Sequence, residues 1–328
     1  MILTRTPFRV SFVGGGTDQP SYFSANGGGA VVSTGIDKFM YVSVKPCFDG
    51  RVRARYSKME DVSSAEELEH DIIRACLQFV SIRKGIEIVT FSDIPSRGCG
   101  LGSSSALTVG LLNALYAFKG VKVDAQRLAE DACKVETEIL NSPIGYQDQF
   151  ASAYGGLSYF QFSRTVGTQR TDLRSVASYD RLKWLERASL LFYLGESRSA
   201  NNILSSFRES MEDNRSWLKE QLRLVPEMIT WLCEESSNGV EDLIRKSWEY
   251  KKKCSPKATN GSIEGVVQAI SDAGVTGMKL CGAGGGGFLL VVTDPAKHHL
   301  VRSAVNGSGL VELDFEFEEE GSKVVYKD

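Results

Sequence analysis

The chain has 328 residues, enough for two domains and short for three. Hydrophobic residues make up 42% and charged residues 24%, which supplies a sizeable core and excludes global disorder. The formal net charge of -3 carries no basic surplus, and no apolar run nears the ~18 residues of a membrane span, so neither nucleic acid nor membrane is an expected partner.

The opening residues lack the layout of a signal peptide. Cys47, Cys76, Cys99, Cys133, Cys233, Cys254 and Cys281 are scattered, odd in number and without a CxxC pair. That pattern points to reduced thiols and a cytoplasmic location. The histidines are His70, His298 and His299, too few for a His-rich metal site, and no GxSxG elbow accompanies them.

The first strand expected is Phe8 to Val13, which alternates apolar and polar residues. It runs into Gly14-Gly15-Gly16-Thr17-Asp18, read either as a turn or as a loop bringing backbone and the Asp18 carboxylate to a polyhydroxyl ligand. Arg51, Arg53 and Arg55 alternate on one strand face, as a solvated edge or a phosphate grip. A strand over Gly85 to Phe91 precedes Pro95 to Ala106, which holds Gly98, Gly100, Leu101, Gly102, Ser103, Ser104 and Ser105. The apolar helix Leu107 to Phe118 follows. A Gly/Ser loop opening a helix places unpaired amides and the positive dipole end at one spot, a site for phosphate.

A helix over Ala125 to Leu140 carries Glu136 and Glu138. The turn after it holds Pro143, Gly145, Tyr146, Gln147, Asp148 and Gln149, with Gly155-Gly156 beyond. Asp148 there is a candidate general base, or a residue of a solvated turn. Arg164 to Tyr179 is polar and unpatterned enough for a domain boundary. Ser205 to Trp231 and Val240 to Tyr250 read as amphipathic helices, with Trp217, Trp231 and Trp248 in the core. Gly277 to Gly287 contains a formal G-x-G-x-x-G, but strand Phe288 to Val292 follows directly where a dinucleotide site needs a helix. No Gly-Lys pair exists, so a Walker A loop is absent. The tail from Val311 to Val325 reads as a strand pair turning around Glu318 to Gly321.

In order and spacing these segments resemble the signature motifs of the GHMP kinase superfamily (galactokinase, homoserine, mevalonate and phosphomevalonate kinases). Pro7, Arg9, Gly16, Thr17 and Asp18 match its P-x-R and G-T-D motif. Pro95 to Ala106 resembles its P-x-x-x-G-L-G-S-S-A nucleotide loop, and Lys279 to Gly287 its K-x-x-G-A-G-G-G-G motif. The G-G-G-T-D form, Gly145 to Gln149, and the stretch Leu194 to Ala200 are similar to heptose 7-phosphate kinases and fucokinases. Tyr146 and Leu194 depart from that pattern, where lysine and threonine are usual, and both fall beside the expected sugar.

The resemblance implies an α+β, two-domain GHMP kinase fold. Residues 1–175 would form the N-terminal, ribosomal-protein-S5-like domain and 176–328 a C-terminal, ferredoxin-like domain, with the site in the cleft between. It implies ATP and Mg2+. Gly98, Gly100, Leu101, Gly102, Ser103, Ser104 and Ser105 would bind ATP, with Ser104 and Glu136 (or Glu138) on the metal. Asp148 and Arg9 would be catalytic. Thr17, Asp18, Gly145, Gly284 and Gly285 would contact the acceptor. The implied partner is a small sugar or sugar phosphate, most similar to D-glycero-D-manno-heptose 7-phosphate phosphorylated at its anomeric hydroxyl. A free sugar such as fucose or galactose, a catalytically silent ligand-binding relative, and a homodimer stay open.

Overall fold

The computed structural model describes the chain apart from residues 96–97, 196–199, 212 and 234–238, and the side chains of 200–202 and 208. In chain order the elements are β1 (Ile2–Val13), α1 (Pro20–Asn26), β2 (Gly29–Pro46), β3 (Val52–Arg55), β4 (Met59–Val62), α2 (Asp71–Phe79) and β5 (Ile86–Ser92). Then come α3 (Ser103–Phe118), α4 (Ala125–Cys133) with a π-helical turn (Lys134–Ile139), α5 (Gln147–Tyr154), β6 (Ser158–Ser163), β7 (Gly167–Asp172), α6 (Tyr179–Ala188) and β8 (Ser189–Tyr193). The remainder is α7 (Ala200–Glu209), α8 (Arg215–Cys233), α9 (Val240–Cys254), α10 (Gly261–Asp272), β9 (Met278–Leu280), β10 (Phe288–Val292), α11 (His298–Ala304), β11 (Val311–Leu313), β12 (Phe317–Glu318) and β13 (Lys323–Lys327).

Two sheets organise the molecule, as the α+β reading expects. A nine-stranded sheet runs β13-β1-β2-β5-β3-β4, with β12 and β6 also pairing β2 and β7 pairing β6. A four-stranded antiparallel sheet runs β11-β8-β10-β9. Helix α3 is apolar on nearly every side and is buried through most of its length, as a core helix must be. It lies close against β1: a Cβ on Gly110 would stand 2.7 Å from Thr6 Oγ1. Among the described residues no helix is long and apolar enough to cross a membrane.

Several expectations change. The tail does not pair with itself. β11 joins the second sheet, while β12 and β13 return to β2 and β1 of the first. The polar stretch 164–179, where a domain boundary is expected, contains β7, an edge strand of the first sheet. The segment 205–231 is two helices, broken before Asn214, whose amide donates to Cys254 O at 2.6 Å. Trp231 and Trp248 are core residues, but Trp217 is half-buried, stacked on Tyr250 and covered by Lys253. Arg51, just before β3, and Arg53 and Arg55 on it form ion pairs, and β3 lies between β5 and the edge strand β4 rather than at the edge itself: Arg51 and Arg53 meet Asp61, Arg53 also meets Asp49, and Arg55 meets Glu87. A division at 175/176 is carried forward as a proposal, with the addition that β12 and β13 belong to the first sheet.

The tail is bound by more than its ladder. Phe317 packs edge-on against Phe12, and the Ser322 hydroxyl meets Thr6 Oγ1 at 2.7 Å and Asn113 Nδ2 at 3.0 Å. Truncation after Leu313 is therefore expected to lower the thermal midpoint by roughly 5 °C or more, since each lost kcal/mol shifts a chain this size by a few degrees. An unchanged midpoint in a calorimetric scan would show the tail to be an appendage.

Candidate active site

Arg9 stands in the middle of β1 and is 2% exposed. Its guanidinium holds Asp148 with two parallel bonds, Nε to Oδ1 at 2.8 Å and Nη2 to Oδ2 at 2.9 Å. The remaining nitrogen, Nη1, donates to Gly100 O at 2.8 Å, and the Arg9 backbone N–H donates to Leu101 O at 3.1 Å. One residue thus fixes both the glycine loop and the carboxylate. Burial works against the guanidinium charge, but the attraction and hydrogen bonds of Asp148 outweigh it and lift Arg9 above its ordinary value. Asp148 lies in the first turn of α5, where the helix dipole favours an anion, and its side chain is 25% exposed.

The residues flanking Asp148 point to different partners, because successive helical side chains diverge by about 100°. Gln147 donates its backbone N–H to Asp18 Oδ2 and its amide Nε2 to Asp18 Oδ1, both at 3.2 Å. Gln149 Nε2 donates to Glu136 Oε2 at 2.7 Å. Asp18 also accepts from Gly16 N at 2.9 Å. Gly145 is required where it stands: a Cβ there would lie 1.9 Å from Asp18 Oδ2. Burial first, then the nearby Asp148 charge, push the Asp18 carboxyl up to about 6, although the N–H donors pull it down.

The two glycine-rich loops meet backbone to backbone. A Cβ on Gly100 would come within 2.7 Å of Cys281 O, and one on Gly282 within 2.5 Å of Gly100 Cα. Phe288 N donates to Cys99 O at 3.0 Å. Helix α3 begins at Ser103 with Gly102 as its N-cap and no side-chain cap on its first-turn amides. Ser103 and Ser104 line a cavity of about 540 Å3 with Tyr56, His70, Phe91 and Leu107. On the other side of Gly102, whose Cβ position lies 3.4 Å from Asp148 Oδ2, a second cavity of about 140 Å3 is lined by Arg9, Asp18, Gly145, Asp148 and Lys251 among others.

Glu136 sits on the π-helical turn and is buried, while Glu138, two residues on, is exposed. Such turns rotate a side chain out of the regular helical register and are frequent at functional sites. Burial raises the Glu136 carboxyl to about 7 against the lowering effect of the Ser105 hydroxyl, Gln149 and Ser104. Ser105 is close enough for that effect, yet its buried Oγ makes no full hydrogen bond.

The sequence-expected residues divide clearly. Arg9, Asp18, Gly145 and Asp148 share the smaller cavity, and Ser103 and Ser104 share the larger. Leu101 is buried in the core. Thr17 is fully buried and spent internally, with Oγ1 at 2.8 Å from Gly14 O and accepting from Ala30 N at 3.0 Å. Gly284 and Gly285 face Ala258 rather than the cavity, whose lining in that loop is Gly282 and Ala283. Tyr146 and Leu194 line neither cavity; Tyr146 packs on Phe23, and Leu194 N donates to Gly287 O. Of the stretch Leu194 to Ala200, residues 196–199 lie outside the described residues, as do 96–97 of the nucleotide loop. Sequence reasoning did not single out Ser11, Gln221 or Lys251, which also line the smaller cavity. Nothing in their local pattern separates them from ordinary strand and helix positions.

The Asp18 environment gives a pH test. Its ordinary value is 3.8 and its folded value about 6, so the folded state binds the extra proton between them. Stability from this group is present below the lower value and is lost as the pH rises through 6. The full effect is about 3 kcal/mol. Urea unfolding of ligand-free Asp18→Asn, minus that of the parent, should rise by up to about 3 kcal/mol from acid to neutral pH. Parallel profiles would show that Asp18 titrates normally.

Residues 67–156 match the GHMP kinases N terminal domain and residues 228–309 the GHMP kinases C terminal domain. The chain is 27% identical to the D-glycero-alpha-D-manno-heptose 7-phosphate kinase of Campylobacter jejuni, over 98% of both chains. It is 29% identical to the L-fucokinase/L-fucose-1-P guanylyltransferase of Bacteroides fragilis, over 89% of this chain and 34% of that protein. Its fold matches the crystal structure of a D-glycero-D-manno-heptose 1-phosphate kinase from Bacteroides thetaiotaomicron, with a TM-score of 0.73, 21% identity and full coverage of both chains. With both family domains in order and an arginine-held carboxylate between the glycine loops, the chain belongs to the GHMP kinases, ATP-dependent phosphotransferases.

Proposed function

We propose that the protein transfers a phosphoryl group from Mg-ATP to the anomeric hydroxyl of D-glycero-D-manno-heptose 7-phosphate, giving the 1,7-bisphosphate. The observation that carries this reading is Asp148, a partly exposed carboxylate gripped by a buried arginine and facing a cavity that also holds Asp18. The heptose assignment is supported by the Campylobacter relative, which matches from end to end.

Each residue has a physical task. Arg9 fixes the direction of Asp148 through two parallel hydrogen bonds. Each Asp148 oxygen retains a lone pair beyond its bond to Arg9, so one can accept the proton of the attacking hydroxyl. An anomeric hydroxyl is more acidic than an ordinary alcohol, which narrows the gap to a carboxylate base. Ser11 Oγ and Gln147 Oε1 are buried, without a hydrogen-bond partner among the described residues, and Ser11 and Gln147 line the same cavity as Asp18. These three would orient the sugar hydroxyls. The uncapped amides opening α3 would lie against the donor phosphates, and the larger cavity beside them would take the nucleoside.

The donor set fits magnesium. Glu136 is a buried carboxyl with no cationic partner among the described residues, and Ser104 adds a hard hydroxyl oxygen. Among the described residues no three acids, histidines or cysteines form a self-sufficient cage, and magnesium commonly takes one or two protein oxygens with the rest from phosphates and water. When bound, the ion offsets charge on the phosphates.

The test is ADP release with Mg-ATP across D-glycero-D-manno-heptose 7-phosphate, sedoheptulose 7-phosphate, mannose, galactose, fucose and mevalonate. Selective turnover of the heptose phosphate is expected. Turnover of free fucose alone would favour the second reading, which rests on the Bacteroides relative. Measurable ATP binding with no turnover would favour a silent relative. Asp148→Asn should lower kcat by about 100- to 10,000-fold while nucleotide affinity, read by titration calorimetry, stays within a few-fold. Retained turnover would remove Asp148 as the base.

A further inference from the structure

Two ammonium groups line the smaller cavity without an acidic partner. Lys279 is buried; its Nζ donates to Phe12 O at 2.7 Å and to Ser247 Oγ at 3.2 Å. Lys251, in the last turn of α9, is half-buried; its Nζ donates to Leu280 O at 2.8 Å and Gly282 O at 2.6 Å. Neither forms a salt bridge with any described carboxylate. The acids in the same lining are already engaged, Asp148 by Arg9 and Asp18 by N–H donors from Gly16 and Gln147. An ammonium wholly or half removed from water without a counter-ion is costly to keep charged, so two of them in one lining favour an anion there.

The position narrows what that anion is. Lys251 and Lys279 line the cavity of Asp18 and Asp148, and neither lines the cavity of Ser103 and Ser104. The cation pair therefore serves the acceptor side. Arg51, Arg53 and Arg55, the other candidates for a phosphate grip, are paired with acids and line neither cavity. Lys279 is held in the cavity wall through Ser247, itself hydrogen-bonded to Gln221, while Lys251 is more open and has a third N–H beyond its two carbonyl bonds.

We infer that Lys251 contacts a phosphate already present on the acceptor and so selects a phosphorylated sugar over the free one. This rests on the kinase reading above and adds the residue that sets its substrate class. Lys279 supplies a fixed background charge behind it. Burial, then Lys279, draw the Lys251 ammonium down to about 7, and a phosphate dianion beside it would favour the charged form.

The experiment compares D-glycero-D-manno-heptose 7-phosphate with the unphosphorylated heptose, in turnover and in calorimetric binding, for the parent, Lys251→Met and Lys251→Arg. The ratio of kcat/KM for the phosphorylated over the free sugar should fall about 10- to 100-fold in Lys251→Met, the range for losing a charged hydrogen bond, and the loss should sit mainly in KM. Lys251→Arg should keep most of the ratio. If Lys251 only props the glycine loop through its carbonyl bonds, both acceptors will suffer equally and the inference fails. If it acts on the transferring phosphoryl group, kcat will drop for both acceptors and the inference fails likewise. Lys251-dependent binding of the phosphosugar without turnover of any sugar would sink the kinase reading and leave this one standing. Should Lys251→Met not fold, the arginine variant and the parent's binding preference still decide: a parent that binds both sugars equally overturns the assignment.

Discussion

A guanidinium removed from water must spend its donors on the protein, and Arg9 spends them on a helix and a loop that it ties to its own strand. Two bonds go to Asp148 at the start of α5, and one goes to the carbonyl of Gly100 in the glycine loop. The Arg9 backbone amide goes to Leu101 of the same loop. Strand, loop and helix are therefore set relative to one another by a single residue. Losing one partner of such a buried pair leaves the other charge uncompensated, which is far more costly than the pair is stabilising. The arrangement is best understood as specifying geometry.

Around this pin the electrostatics are arranged against stability. Asp18 and Glu136 are pushed up toward neutrality by burial, and Lys251 and Lys279 are drawn down by the same cause. Four groups thus resist the charges that their chemistry would use. Sites that bind charged ligands commonly hold such strain, with the rest of the fold compensating. Here the compensation is the apolar core on both faces of the large sheet, centred on α3.

Much of this was legible in the sequence, where local pattern carries the chemistry. The glycine clusters mark backbone contact, and the Gly100–Gly282 contact shows why a side chain is excluded there. The Gly/Ser run does open α3, and Arg9 meets Asp148, a pairing that only the family resemblance had implied. What was hidden depends on long-range packing. Lys251 reads as one of three lysines closing an amphipathic helix, and the approach of the loop at Gly282 to α9 half-buries it. Thr17 belongs to a ligand motif by sequence, yet Gly14 and Ala30 enclose its hydroxyl. Glu136 and Glu138 cannot be told apart in a string of letters; the π-helical turn decides which one is buried. The destination of the tail was also invisible, because a strand pattern does not name its partner.

That destination bears on how the chain reaches its native state. The outer edge of β1 is covered by β13, with Ile2 opposite Lys327. During synthesis β1 emerges long before the strand that covers it, so its edge stays open while the residues between the two are made. An uncovered apolar strand edge is a template for pairing with another molecule. Contacts of such sequence separation also form slowly, because a very long loop must close before they are rewarded. The residues that close the sheet therefore set the length of time for which the nascent chain is exposed to misassembly.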